Sequence, residues 1–232
     1  MAIAGGLATG AVAIVVGTGS SRGTFCVADA CSLVANGRSA LVGAVFAFLT
    51  VGVLALSAPL LRAGVAPTGE YCFLLTCSMT GGVVLGAAGD LITLIVALET
   101  LTLPLYVLVG MRRQTMESAA AAVTFFVVSV VATAVSLLGA ALLYAVTGRL
   151  HLTLLGTALS GDVSLAGGSP VRALSLPLTS VGIALLVLGL AFKVAAVPFH
   201  AWAPPTYDGA PLPVAAYLST ASKLGGVVAI LL

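Results

Sequence analysis

The stretch "LGLAFKVAAVPFHAWAPPTYDGAPLPVAAYLSTASKLGG", Leu188 to Gly226, places Lys193 and Lys223 inside otherwise apolar runs, with His200 and five prolines between them. Pro198, Pro204, Pro205, Pro211 and Pro213 cannot share one continuous helix, because each lacks an N–H and crowds the carbonyl one turn back. An apolar span is therefore predicted to break near Pro198, run on as a short segment through Trp202, turn at "YDGAP" and resume at about 212. Irregular backbone at membrane depth is tolerated where it lines a cavity or is buried against protein, and such breaks often mark ion paths. A proline-rich re-entry loop that serves topology alone is the competing reading of the same residues.

The rest of the chain supplies the setting for that break. Of its 232 residues, 60% are hydrophobic and 7% charged, and the mean hydropathy is +1.23. Soluble domains carry about a quarter charged residues, because their surfaces must be solvated. Apolar runs long enough to cross a hydrocarbon core of about 30 Å recur along the chain. They lie at roughly 1–18, 39–61, 71–88, 91–110, 118–147 and 178–199, with a last one from about 212 onward. The short alternating segments of a membrane β-barrel are missing. The fold class is all-α, a polytopic transmembrane helical protein, and its many Gly and Ala residues suit helices packed closely in lipid. Residues 1–18 lack a positive leading region and read as a retained span. The net charge of +2 says little about partners, and no block of like charges suggests a nucleic-acid surface or an acidic tail.

The charges sort sharply. All seven arginines (Arg22, Arg38, Arg62, Arg112, Arg113, Arg149 and Arg172) fall in connectors, whereas both lysines lie in apolar spans. Among the acids only Glu99, in "LITLIVALETLTLPLYVLVG", lies deep within a span. A charge at mid-bilayer costs at least ~2.5–3.5 kcal/mol, so it survives with a partner, a wet cavity or a function. Lysine is informative here. An arginine keeps its proton, whereas a desolvated lysine can give one up, and a carboxylate that approaches or retreats switches that affinity. Glu99 and Lys193 are thus candidate proton-relay residues, weighed against an inert interhelical ion pair. Ser219, Ser222, Lys223 and Gly226 follow helical spacing, as do Gly182, Gly189, Lys193 and Ala196. His200 belongs to the residue type that ordinarily titrates near neutral pH, which suits either a relay or an interfacial position.

Charge density puts the Arg112–Arg113 loop in the cytoplasm and connector 19–38 outside, where Cys26 and Cys31 could pair or remain two thiols. Cys72 and Cys77 read as small packing residues. No phosphate-binding glycine loop, metal-ligand spacing, GxSxG or haem-holding histidine pair is present.

"ALETLTLPLYVLVGMRR", "LLYAVTGRL" and the stretch from "GLAFK" to "STASK" resemble subunit N of bacterial NADH–quinone oxidoreductase (respiratory complex I), subunit 2 in mitochondria. The resemblance is close over 70–232 and is one of hydropathy alone over 1–69. It implies peripheral helices in 1–69 and, in 70–232, the first of two inverted antiporter-like repeats with a broken helix. It places Glu99 on the family's intramembrane glutamate, Lys193 on the lysine of the broken helix, His200 on its histidine, and Lys223 on the lysine leading towards the second half. The implied activity is proton translocation in the plasma membrane, coupled to NADH oxidation by quinone in partner subunits. Those partners would carry the NADH, FMN, iron–sulphur and quinone sites, with no cofactor in this chain, and the assembly would be a hetero-oligomer of membrane subunits in the lipid bilayer. A cation/proton antiporter subunit and a purely structural membrane subunit are the alternatives. Two departures stand out. The family's EAALKYF-like pattern reads "AAAVTFF" here, with Thr124 in place of a lysine, and the family is about twice this long with one more span at its start.

Overall fold

The protein is described from a computed structural model covering residues 1–27, 30–111, 116–163 and 171–232. Helix α1 (Ala2–Gly17) leads into an antiparallel hairpin of β1 (Arg22–Val27) and β2 (Ala30–Ala35). Then follow α2 (Gly37–Leu56), α3 (Ala58–Arg62), α4 (Thr68–Gly86), α5 (Leu91–Val109), α6 (Met116–Thr147), α7 (Leu152–Ser160) and two short strands, β3 (Asp162–Val163) and β4 (Val171–Arg172). Next come α8 (Pro177–Val194), α9 (Ala203–Gly209) and α10 (Leu212–Leu231), the last interrupted by a π-helical turn at Leu218–Ser222. Among the described residues α2, α5, α6, α8 and α10 are long and apolar enough to cross a membrane. Of the two other expected spans, α1 has 16 residues and α4, as long as α5, carries Glu70 and several hydroxyl groups.

The ends of these helices follow from their sequence. Asn36 caps α2, accepting from Ser39 N–H at 3.0 Å while its own N–H donates to Ser39 Oγ at 2.8 Å. Asp90 caps α5, accepting from Thr93 N–H at 2.6 Å. Pro104 removes one backbone bond from α5, and α4 covers the weakened turn. Ser78 Oγ donates to Leu101 O at 2.7 Å, and a Cβ on Gly81 would come within 2.7 Å of Thr100 C. Only glycine lets the two backbones approach this closely.

Sequential helices pack side by side from α1 to α2, α4, α5, α6 and α8, and α10 closes the bundle against α2, α4, α5 and α8. Tyr71, Leu101, Leu105, Trp202 and Tyr217 anchor one apolar core, while Leu85, Leu94, Leu143 and Leu190 anchor a second. The longest seam joins α6 to α8 through Gly139, Gly182 and Gly189.

The break in the α8 span falls at Ala195, three residues before Pro198. Ala195 takes the left-handed conformation at φ 57°, and its N–H and that of Ala196 bond back to carbonyls of the last turn. A proline ring at 198 would crowd the carbonyl of Val194, so the helix has to end before it. Residues 196–202 form turns, and the short helix begins after Trp202 with Pro204 and Pro205 in its first turn. Asp208 and Gly209 thus belong to α9, and the chain turns at Ala210–Pro211 instead of across "YDGAP".

Cys26 faces Cys31 across the hairpin and the two form a disulfide. Bridges from Leu33 to Ala88 and from Asp90 to His151 put the hairpin, the α4–α5 turn and the start of α7 at one end of the bundle. Helix α5 runs from that end towards the other; Arg112 and Arg113, expected on the cytoplasmic side, lie outside the described residues. After reduction, an impermeant thiol reagent should therefore label Cys26 and Cys31 in intact cells. Labelling confined to inverted vesicles would reverse the orientation.

Candidate functional site

Three helices bring polar side chains to one point in the apolar bundle. Glu99 stands near the middle of α5, Lys193 in the last turn of α8, and Ser129 and Thr133 one turn apart on α6. Lys193 Nζ donates to Glu99 Oε1 and to Ser129 Oγ, each at 2.6 Å. Thr133 Oγ1 donates to the same Glu99 oxygen. Lys193 is 7% exposed and Glu99 21%, so the cation is interior and the carboxylate reaches the flank of the bundle. Position at the C-terminal end of α8 also favours a cation, since the unpaired carbonyls there carry partial negative charge.

The α6 hydroxyls did not stand out in the sequence. Their signal was a stripe, Phe125, Ser129, Ala132, Ser136 and Gly139, which recurs at helical spacing and is buried throughout. A hydroxyl both donates and accepts. Ser129 can therefore accept from a lysine ammonium and donate to a neutral amine, keeping one contact through both protonation states.

A small cavity, about 10 Å³ counted over water centres, adjoins this cluster. Thr102, Phe125, Ser129, Lys193, Trp202 and Ser222 lie on its wall. That is room for about one water molecule beside several hydroxyl groups. Lys223 sits past Trp202. Its buried Nζ has no hydrogen-bond partner among the described residues and lies 4.2 Å from the Trp202 ring centroid.

The other expected positions separate. His200 is exposed in the turn after the break, and among the described residues no hydrogen bond or ion pair joins it to either lysine. Thr124 lies on the exposed flank of α6, away from the buried stripe that carries Ser129. The small-residue stripe holds through Gly182, Gly189 and Lys193, and it ends before the exposed Ala196. Ser222 and Gly226 are buried beside Lys223, but the π turn leaves Ser219 exposed. Among the described residues no group of three or more His, Cys, Asp or Glu side chains could hold a metal ion.

Residues 88–232 match the family model described as NADH:quinone oxidoreductase/Mrp antiporter, TM. The chain belongs to this family. All the candidate relay residues named above fall inside the matched region. Among curated relatives, the NADH-quinone oxidoreductase subunit N of Salinispora tropica is 68% identical over 231 residues, which is 100% of this chain and 43% of the relative. A chain of respiratory complex I from Thermus thermophilus with bound aureothin superposes with a TM-score of 0.74 at 27% identity, covering 99% of this chain and 46% of that one. A chain of the Mrp complex from Dietzia sp. DQ12-45-1b gives 0.73 at 26% identity, covering 92% of this chain and 39% of that one. The chain thus spans less than half the length of these relatives. Its architecture is the antiporter-like fold of a multi-pass membrane protein, with the broken helix that the opening stretch foretold.

Proposed function

We propose that the chain is part of a subunit N of NADH–quinone oxidoreductase and moves protons across a bacterial plasma membrane. Partner subunits would oxidise NADH and reduce quinone, holding the FMN and iron–sulphur centres. Residues 70–232 would carry the relay and 1–69 would be peripheral. The observation that carries this reading is the Glu99–Lys193 pair, set among hydroxyls with its lysine buried at the end of a broken helix. The pair has the parts a switchable proton site needs: an amine that can release a proton, a carboxylate that modulates it, and a serine that serves both states. Lys223 continues the line past Trp202, while His200 would join it through movement of the exposed turn. A subunit of a cation/proton antiporter is the second reading, favoured by the likeness to the Mrp complex. Identity of 68% over the whole of this chain to a subunit N favours the first.

Glu99→Gln tests the role. Glutamine keeps an oxygen for Thr133 and Lys193 but loses the charge, so the complex should assemble while proton uptake falls roughly tenfold, equivalent to about 1.4 kcal/mol of barrier. A native gel and uptake into reconstituted vesicles read the two effects separately. A scaffold would lose assembly, and unchanged uptake in an assembled complex would end the relay reading.

Thr124→Lys places a lysine where the resemblance expects one. It should assemble and keep pumping, because the resemblance implies a cation at this point of the helix. Failure to assemble would mean that this flank of α6 faces lipid or a dry contact.

A further inference from the structure

Lys223 has a buried ammonium position with no hydrogen-bond partner among the described residues, and the one salt bridge found among them belongs to Lys193 and Glu99. What faces it is aromatic. Its Nζ lies 4.2 Å from the Trp202 ring centroid and 5.9 Å from that of Tyr207. Trp202 is the single tryptophan of the chain, and it is firmly held. Its Nε1–H donates to Phe192 O at 3.1 Å, its ring stacks on Phe125 with centroids 5.1 Å apart and planes 13° from parallel, and it is buried. Phe192 immediately precedes Lys193, so the indole is tied to the helix end that carries the first lysine. Trp202 and Lys193 also wall the same small cavity.

We propose that Trp202 is a positioning residue for Lys223: its indole face holds the ammonium in place of a carboxylate and ties that position to the end of α8. The face of an indole is its region of negative potential, and a desolvated cation over it is attracted more strongly than at an exposed site. A carboxylate at this point would bind the ammonium tightly and hinder its release. An aromatic face holds the cation without itself offering a site for the proton. Because the N–H bond to Phe192 O fixes the ring, any movement of the α8 end that accompanies opening of the Glu99–Lys193 pair also moves the surface on which Lys223 rests.

The inference rests on the relay reading for its purpose, but its test does not. Tryptophans bearing one to four ring fluorines, placed at position 202 by nonsense suppression in the assembled membrane complex, keep shape and N–H while draining the face of negative potential. Lys193 and Lys223 are the only lysines of the chain, so reaction of each with a membrane-permeant acylating ester can be followed by peptide mass spectrometry, with Lys193 as internal reference. An ammonium cannot be acylated, so labelling of Lys223 should rise stepwise with fluorination, by about tenfold at four fluorines, as expected when a desolvated cation–π contact is lost. Trp202→Leu should label at least as fast, and Trp202→Phe should fall between. A flat labelling rate across the fluorinated series overturns the proposal, because packing alone would be unchanged by fluorine. Should Glu99→Gln leave proton uptake intact, the relay reading falls while the labelling result still decides this one.

Discussion

Lys193→Ala is expected to leave the complex assembled and to lower proton translocation by about a hundredfold, the lower end of what a positioned proton-transfer group contributes. The alanine removes both 2.6 Å contacts of Nζ, to Glu99 Oε1 and Ser129 Oγ. Assembly survives because Glu99 keeps its bond from Thr133, and a carboxyl left without its lysine can take up a proton and stay neutral. Quinone reduction should fall with pumping where the two are tightly coupled. Lys193→Arg should fail almost as badly while keeping the charge. Guanidinium holds its proton at any physiological pH, and its planar fork cannot reproduce the single-nitrogen geometry that Nζ has between Glu99 Oε1 and Ser129 Oγ. Proton uptake in reconstituted vesicles, with assembly checked on a native gel, reads all three proteins side by side. Full pumping by the arginine variant would mean that Lys193 supplies a fixed charge, and the relay would have to be abandoned.

Gly189→Ala should be nearly as damaging, although it adds one methyl group and touches no charge. Gly189 lies one turn before Lys193 on α8, and a Cβ there would meet Ser136 Oγ, with Ala132 O at 2.5 Å and Ser136 N at 2.9 Å. Backbone cannot yield as a flexible side chain can. Sliding gives no relief, because a Cβ on Gly139 would already lie 2.5 Å from Leu186 N and 2.7 Å from Gly182 O. Overpacking of this kind typically costs ~1–3 kcal/mol. Here it separates the helices that carry Lys193 and Ser129, so a lower melting temperature of the complex should accompany loss of pumping. Gly156→Ala is the control, since nothing lies within 4 Å of its Cβ position, and it should be neutral or slightly stabilising. A Gly189→Ala protein that melts and pumps normally would show that this contact does not seat the lysine.

The charged part of the site was legible because charge in an apolar span is expensive. Glu99 and Lys193 announced themselves, and the structure brings them together. The hydroxyls that complete the cluster were not, since Ser and Thr in an apolar helix usually bond to the carbonyl one turn back. Thr133 does so as well, donating to Ser129 O at 3.0 Å, and its second role towards Glu99 leaves no mark in sequence. The break of α8 was legible from prolines, but its position was not. Its cap is an alanine in a conformation that glycine normally takes, so the usual sign was missing. Helix α7 escaped notice because it is only nine residues long and has a glycine at its centre. The disulfide was one of two open readings until the hairpin set Cys26 opposite Cys31.

The π turn of α10 works as a phase correction. Buried residues in this helix recur in steps of four from Pro213 and Val214 through Tyr217 and Leu218, Ala221 and Ser222 to Gly225 and Gly226, and then, after a step of three, come Val228 and Ala229. In a regular α-helix each step of four overshoots a full turn by about 40°, so the inward face would drift well around the helix by Gly226. The wider turn at Leu218–Ser222 takes back much of that drift. Gly225 is thereby held against Leu101 of α5 and Gly226 against Val194 of α8, with Lys223 just ahead of both. Its extra residue acts as a spacer. A sequence one residue shorter there could keep every side chain from 223 onward and still present a different face to α5 and α8.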